Sequence, residues 1–179
     1  MSALHKKPRK KSFTLLVVSR APCHQQLPMS VTAPLRFKRL REDSLAPLRA
    51  TKGAAGYDLY AAEEVCIEAG TTGKVPTGIS LEVPPGTYGR IAERSSMALQ
   101  TTLMVRAGVI DSDYRGEVAV IFTNLGDKAC TLRKGQRVAQ LVLEVCATPP
   151  LEEEQAEELS RTKRGKKGFG STGAGLADK

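Results

Sequence analysis

From Leu35 onward the chain is written in short apolar stretches separated by Gly, Pro, Asn and Asp. The segments VCIEAG, GISLEVPPG, TYGRIAE, AGVIDSDYRGEVAVIFTNLGD and QRVAQLVLEV favour alternation and β-branched residues over a 3.6-residue period. Strands at such regular spacing predict an all-β sandwich or barrel. VPPG and NLGD punctuate it as turns, and DSDYRG is expected to be a hairpin tip between two strands. The short run SSMALQ after Arg94 is a candidate helix. LEEEQAEELS is Glu-rich without a wide apolar face, so an exposed or frayed connector is expected there. No internal repeat is visible.

A length of 179 residues suits one compact domain with tails. The expected division is a basic extension over 1–33, a β core over 34–148, and a linker with a glycine-rich arm over 149–179. The net charge of +8 suggests nucleic acid until it is located. Residues 1–28 carry Lys6, Lys7, Arg9, Lys10, Lys11 and Arg20 with no acid, and residues 149–179 balance six cations with six anions. Only +2 is left for the middle, so a nucleic-acid-binding core loses its main support. No apolar run approaches the roughly 20 residues of a membrane span. Cys23, Cys66, Cys130 and Cys146 lack CxxC spacing, and His5 and His24 sit in the extension, which argues against zinc and for reduced thiols inside a cell. KKPRKK favours a nuclear address, while the acid-free start also suits a mitochondrial one, and a solvated tail on a cytoplasmic protein fits as well.

Five islands carry chemistry. AAGYDLYAA places Asp58 among small and aromatic residues, where it could simply cap a turn. In AERSSMA, Arg94, Ser95 and Ser96 stand where a strand gives way to a short helix. Hydroxyls, N–H groups and a guanidinium could converge there on one anion, although a plain N-cap beside a surface Arg reads the same way. In AGVIDSDYRG, alternation puts Asp111 and Asp113 on one face of an extended segment, beside Tyr114 as a flat surface for a sugar or base. General-base help from a carboxylate is worth roughly 100- to 10,000-fold, but these considerations do not choose between the two acids. KGQRVAQL places Gln136, Val138 and Gln140 on one side of a strand. RGKKGFGSTG matches the literal GxGxxG spacing of a dinucleotide site but lacks the preceding strand and following helix. A glycine run with cations, hydroxyls and Phe169 instead suits a mobile arm that closes over a phosphate-bearing ligand.

In this order and spacing the islands resemble the five motifs of the trimeric deoxyuridine triphosphatase (dUTPase) family, over roughly Leu35 to Gly173. The resemblance implies a distorted jelly-roll assembling as a homotrimer, with each active site built from three subunits. It implies dUTP as substrate, cleaved to dUMP and pyrophosphate, with Mg²⁺ on the triphosphate and Asp58 in its water shell. Asp111 would orient and deprotonate the attacking water, and Tyr114 would pack on deoxyribose. Backbone near Val105 and Gly108 would read uracil. Arg94, Ser95, the Ser96 backbone and Gln140 would hold phosphates. In the arm, Phe169 would stack on uracil, with Arg164, Gly170, Ser171 and Thr172 around the substrate.

The chain departs from many relatives in having Ser96 in place of a glycine, and Met104 and Arg106 in place of a polar residue and a glycine. A dCTP deaminase, which shares the fold, would need a glutamate where Ile121 stands. A catalytically silent docking module is a further alternative, and the presence of Asp111, Arg164 and Phe169 speaks against it.

Overall fold

A computed structural model describes residues 33–154 and 159–166. The sequence alternation becomes strands β1 (Arg36–Arg39), β2 (Gly56–Tyr60), β3 (Val65–Ile67), β4 (Thr72–Pro76), β5 (Ile79–Glu82) and β6 (Thr87–Ala92). The helix α1 (Ser95–Gln100) follows, then β7 (Leu103–Arg106), β8 (Val109–Ile110), β9 (Ala119–Asn124), β10 (Cys130–Leu132) and β11 (Arg137–Val145). All pairings between named strands are antiparallel, in the orders β2–β11–β6–β8, β4–β9–β7, β1–β5 and β3–β10. This is the all-β, jelly-roll-like architecture expected from the sequence, and no helix among the described residues is long and apolar enough to cross a membrane.

Period-two burial shows why these segments are strands. Along β9, Val120, Phe122 and Asn124 are fully buried while Ala119, Ile121 and Thr123 are half-buried on the opposite face. Along β6, Thr87, Gly89 and Ile91 point inward and Tyr88 and Arg90 outward. Phe122 packs in a core with Leu59, Ile67, Val75, Val138 and Leu141, and burying a side chain of that size contributes roughly 1.5–3 kcal/mol. The buried polar member, Asn124, is fully satisfied. Its Nδ2 donates to the carbonyls of Ile67 (3.0 Å) and Lys128 (2.8 Å), and its Oδ1 accepts from Gly126 N–H (3.0 Å) and Thr102 Oγ1 (2.7 Å). The NLGD turn is therefore closed from within by the last residue of β9. The cysteines among the described residues, Cys66, Cys130 and Cys146, are free thiols, and burial pushes the Cys130 thiol above its ordinary range.

One of the sequence expectations about secondary structure is corrected. The DSDYRG segment is not a hairpin tip: β8 pairs with β6, whereas β9 pairs with β4 and β7, so the segment crosses from one sheet to another. Residues 151–154 and 159–160 of the expected Glu-rich connector have no regular secondary structure.

Candidate active site

Two concave regions hold most of the sequence-predicted residues within the described chain, and they share no lining residue. The first is a polar pocket of about 230 Å³ at the crossing of β2, β11 and the start of α1. Strand register builds it. Gln140 of β11 lies opposite Asp58 of β2 on one side and Ala92 of β6 on the other, so Asp58 and Gln140 share a face and Arg94 follows two residues past β6. Asp58, with its side chain 12% exposed, accepts from Arg94 Nε at 2.9 Å and faces Arg137 Nε at 3.5 Å. Arg94 Nη1 also donates to the Arg137 carbonyl at 3.3 Å. Two guanidiniums thus meet one carboxylate, and the cluster keeps a net positive charge.

Ser95 and Ser96 line the same pocket. Neither caps the helix: the N-cap is Arg94, with extended backbone, no side-chain capping bond and no acid in the first turn. The N-cap alternative is thereby removed, and the amides of the first turn keep their anion-favouring end uncompensated. Gln140 Nε2 donates to the Glu93 carbonyl at 2.9 Å, which fixes its amide at the pocket wall.

The second region is a cleft of about 470 Å³ lined by Gly108, Asp111 and Tyr114 and also by Lys74, Arg106 and Ile121. The expected extended stretch through Asp111 and Asp113 is instead a turn, closed by Tyr114 N–H to the Asp111 carbonyl at 3.1 Å. Alternation therefore does not put the two acids on one face, and Asp111 lines the cleft whereas Asp113 does not. The Tyr114 hydroxyl donates to the Glu117 carbonyl at 3.1 Å, and the ring lies over Gly116, where an added Cβ would collide with it. Glu117 Oε1, for its part, accepts from Gly78 N–H at 2.9 Å.

The 105–108 segment turns sharply through Ala107 (φ 57°) and Gly108 (φ 129°). A Cβ on Gly108 would come within 2.9 Å of the Ile91 carbonyl oxygen, so glycine is required there for conformation and for space. The Gly108 carbonyl accepts from Ile91 N–H at 2.8 Å, and Val105 N–H donates to Glu93 Oε1 at 2.8 Å. Val105 and Gly108 meet in a shallower depression beside the cleft, together with Glu93.

Three site residues were not singled out from the sequence. Glu93 ties the phosphate pocket to the depression beside the cleft, through its carbonyl to Gln140 and its carboxylate to Val105. Arg137 stood inside the KGQRVAQL island, and its signal was a cation next to the strand start, facing an acid across the sheet. Lys74 had no local signal because only sheet register brings it to the cleft. The expected common side of Gln136, Val138 and Gln140 is also corrected. A bulge between Arg137 and Ala139 buries Val138 and Ala139 consecutively, and Gln136 turns back to accept from Arg133 N–H at 2.9 Å. Arg164 lies in an exposed turn and lines neither region, while Phe169, Gly170, Ser171 and Thr172 lie outside the described residues.

Comparison with known proteins bears on the family. The family model described as dUTPase matches residues 42–173. The deoxyuridine 5'-triphosphate nucleotidohydrolase of Fowl adenovirus A serotype 1 is 47% identical over 145 residues, covering 81% of this chain and 80% of the relative. The enzyme of the same name from Rattus norvegicus is 48% identical over 141 residues, covering 79% and 68%. Among solved structures, the Staphylococcus bacteriophage 80alpha dUTPase with dUPNHPP superposes with a TM-score of 0.72 at 30% identity, covering 79% of this chain and 99% of the phage chain. A dUTPase from phage phi11 of S. aureus, described with a structural Mg(II) ion, shares the fold at a TM-score of 0.65 and 24% identity, covering 71% and 100%. With the family model spanning most of the sequence and near-half identity over two thirds or more of these relatives, the chain belongs to the dUTPase family.

Proposed function

We propose that the protein hydrolyses dUTP to dUMP and pyrophosphate by attack of water on the α-phosphate. Such a reaction keeps uracil out of DNA and supplies dUMP for thymidylate synthesis. The observation that carries the reading is the division of labour within one subunit. A cationic pocket suits the phosphate chain, while a separate cleft presents one exposed carboxylate, Asp111, beside a tyrosine ring. Asp111 accepts a proton from water and aims it at phosphorus. Tyr114, locked by its bond to the Glu117 carbonyl, supports deoxyribose and leaves no room for a 2′-hydroxyl. Arg94, Ser95, Ser96 and Gln140 hold phosphate oxygens, and the backbone between Val105 and Gly108 reads uracil.

A trimer is typical of this family, so we take the working enzyme to be a homotrimer, a reading with which two regions that share no lining residue are compatible. The cleft of one subunit would face the pocket of the next, and the arm with Arg164, Phe169, Gly170, Ser171 and Thr172 would come from a third. A solution mass of three times the 19.3 kDa chain supports this, and a stable monomer with full activity contradicts it.

The donor set fits Mg²⁺ carried in by the triphosphate. Asp58 is the carboxylate of the phosphate pocket, and among the described residues no group of three or more His, Cys, Asp or Glu side chains gathers to cage an ion. Mg²⁺ commonly binds one or two carboxylates plus substrate phosphates and keeps several waters, so Asp58 would act through water. When bound, the ion neutralises phosphate charge.

The test is a nucleotide panel of dUTP, dTTP, dCTP and UTP with products identified. Efficient pyrophosphate release from dUTP alone is expected. Binding without turnover would favour a docking module, and ammonia from dCTP would indicate a deaminase, for which Ile121 provides no acid or base. For the compartment, we infer a nuclear or other intracellular address from the Lys6–Lys11 cluster. Loss of nuclear accumulation on deleting residues 1–33 would support the nuclear address.

A further inference from the structure

We propose that Glu117 is a positioning residue for sugar discrimination: its carboxylate pins the 111–117 crossing to Gly78, so that its own carbonyl holds Tyr114 where a 2′-hydroxyl is refused. The inference rests on the dUTP reading and names the side chain that keeps the sugar platform in place. Two atoms of one residue carry it. The Glu117 carbonyl accepts from the Tyr114 hydroxyl at 3.1 Å, and Glu117 Oε1 accepts from Gly78 N–H at 2.9 Å. Both Glu117 and Tyr114 line the cleft that holds Asp111. Gly78 is a firm point of attachment. It stands between β4 and β5, is buried, and has a φ of 68°, and a Cβ added there would collide with the Ser44 hydroxyl.

The tyrosine needs such a tether. Its ring is 44% exposed and lies over Gly116, where an added Cβ would run into it. A flat contact with a glycine limits tilt but leaves the ring free to slide, and the hydroxyl is the one polar atom of the side chain that can stop it. The acceptor of that hydroxyl is fixed from both sides. Val118 N–H, in the same peptide group as the Glu117 carbonyl, donates to the Ile79 carbonyl at 2.8 Å, and the Glu117 carboxylate takes the amide of the preceding residue, Gly78. A bond from a buried amide to a carboxylate is stronger than one between neutral groups, and removing the carboxylate strips that amide of its acceptor. Excluding a single hydroxyl is exacting, because a discriminating side chain must be held to within about 0.5 Å.

The readout is the ratio of kcat/KM for dUTP to that for UTP, which a loss of folded protein alone leaves unchanged. The full-length chain would be compared with Glu117→Ala, Glu117→Gln, Tyr114→Phe and the Glu117→Ala/Tyr114→Phe double variant, with thermal unfolding measured alongside. Glu117→Ala is expected to lower the ratio about fivefold, the worth of one net hydrogen bond, and Glu117→Gln, which keeps the Oε1 acceptor, should restore it. Tyr114→Phe removes the donor without touching Glu117 and should lower the ratio by a similar factor even if Glu117→Ala fails to fold. In the double variant the two losses should not add, because both act through one bond. A lower unfolding temperature for Glu117→Ala with the ratio intact overturns the proposal, as do an unchanged ratio in Tyr114→Phe and full additivity in the double variant. If the unaltered protein does not prefer dUTP to UTP, the functional reading itself fails. If it does and every variant keeps that preference, only the role of Glu117 fails.

Discussion

The phosphate pocket and the Asp111 cleft solve opposite problems of preorganisation. In the pocket, side chains order one another: Asp58 holds Arg94 and faces Arg137, and Arg94 reaches the Arg137 carbonyl. In the cleft the backbone does the ordering, through the turn closed at Tyr114 and the left-handed pair Ala107–Gly108, while Lys74 and Arg106 have no carboxylate within 4 Å among the described residues. A pocket built from ion pairs keeps its cations aimed before the anion arrives, so little reorganisation is needed on binding. A cleft built from turns fixes where a carboxylate stands while leaving its chemistry unencumbered. The difference predicts that pocket changes are felt first in affinity, and cleft changes first in turnover or in folding.

The largest effect should come from the cleft. Asp111→Asn is expected to lower kcat for dUTP by about 100- to 10,000-fold with nucleotide binding retained, whereas Asp113→Asn should change it little. Single-turnover kinetics with equilibrium binding would check both, and comparable losses in the two variants would erase the distinction drawn from the turn. In the pocket, Arg94→Ala should weaken dUTP by about 10- to 100-fold, mainly in KM, because a charge-assisted bond to phosphate contributes roughly 1.5–3 kcal/mol. A pure kcat effect would show that the pocket acts in the transition state alone. Gly108→Ala should destabilise the fold by about 2 kcal/mol in denaturant unfolding, since the added methyl meets the Ile91 carbonyl at a positive φ. Ala107→Gly should be the mildest, a gain of at most about 1 kcal/mol from relieving a left-handed alanine. Activity falling in that variant would mean that the stiffness of alanine is used.

Local pattern reached most of the core, because alternation in TYGRIA and VAVIFTN maps directly onto burial in β6 and β9. It also reached Arg94 with Ser95 and Ser96, and Asp111 and Asp113 with Tyr114, since each group lies within one contiguous island, whereas Asp58 and Gln140 stand in two other islands that only the family resemblance joined to the first group. Pairing between distant segments was not legible. The DSDYRG crossing between sheets, the bulge that buries Val138 beside Ala139, and the arrival of Lys74 opposite Arg106 are all decided by which strand lies next to which. The same holds for Glu93, whose role depends on Val105 and Gln140, 12 and 47 residues away in sequence.

Strand β9 turns its even-numbered residues to the interior, with Phe122 and Asn124, and its odd-numbered residues to the cleft side, with Ala119 and Ile121. Inserting or deleting a single residue within it would swap the two sets, exposing the phenyl ring and driving the ligand-facing wall into the core.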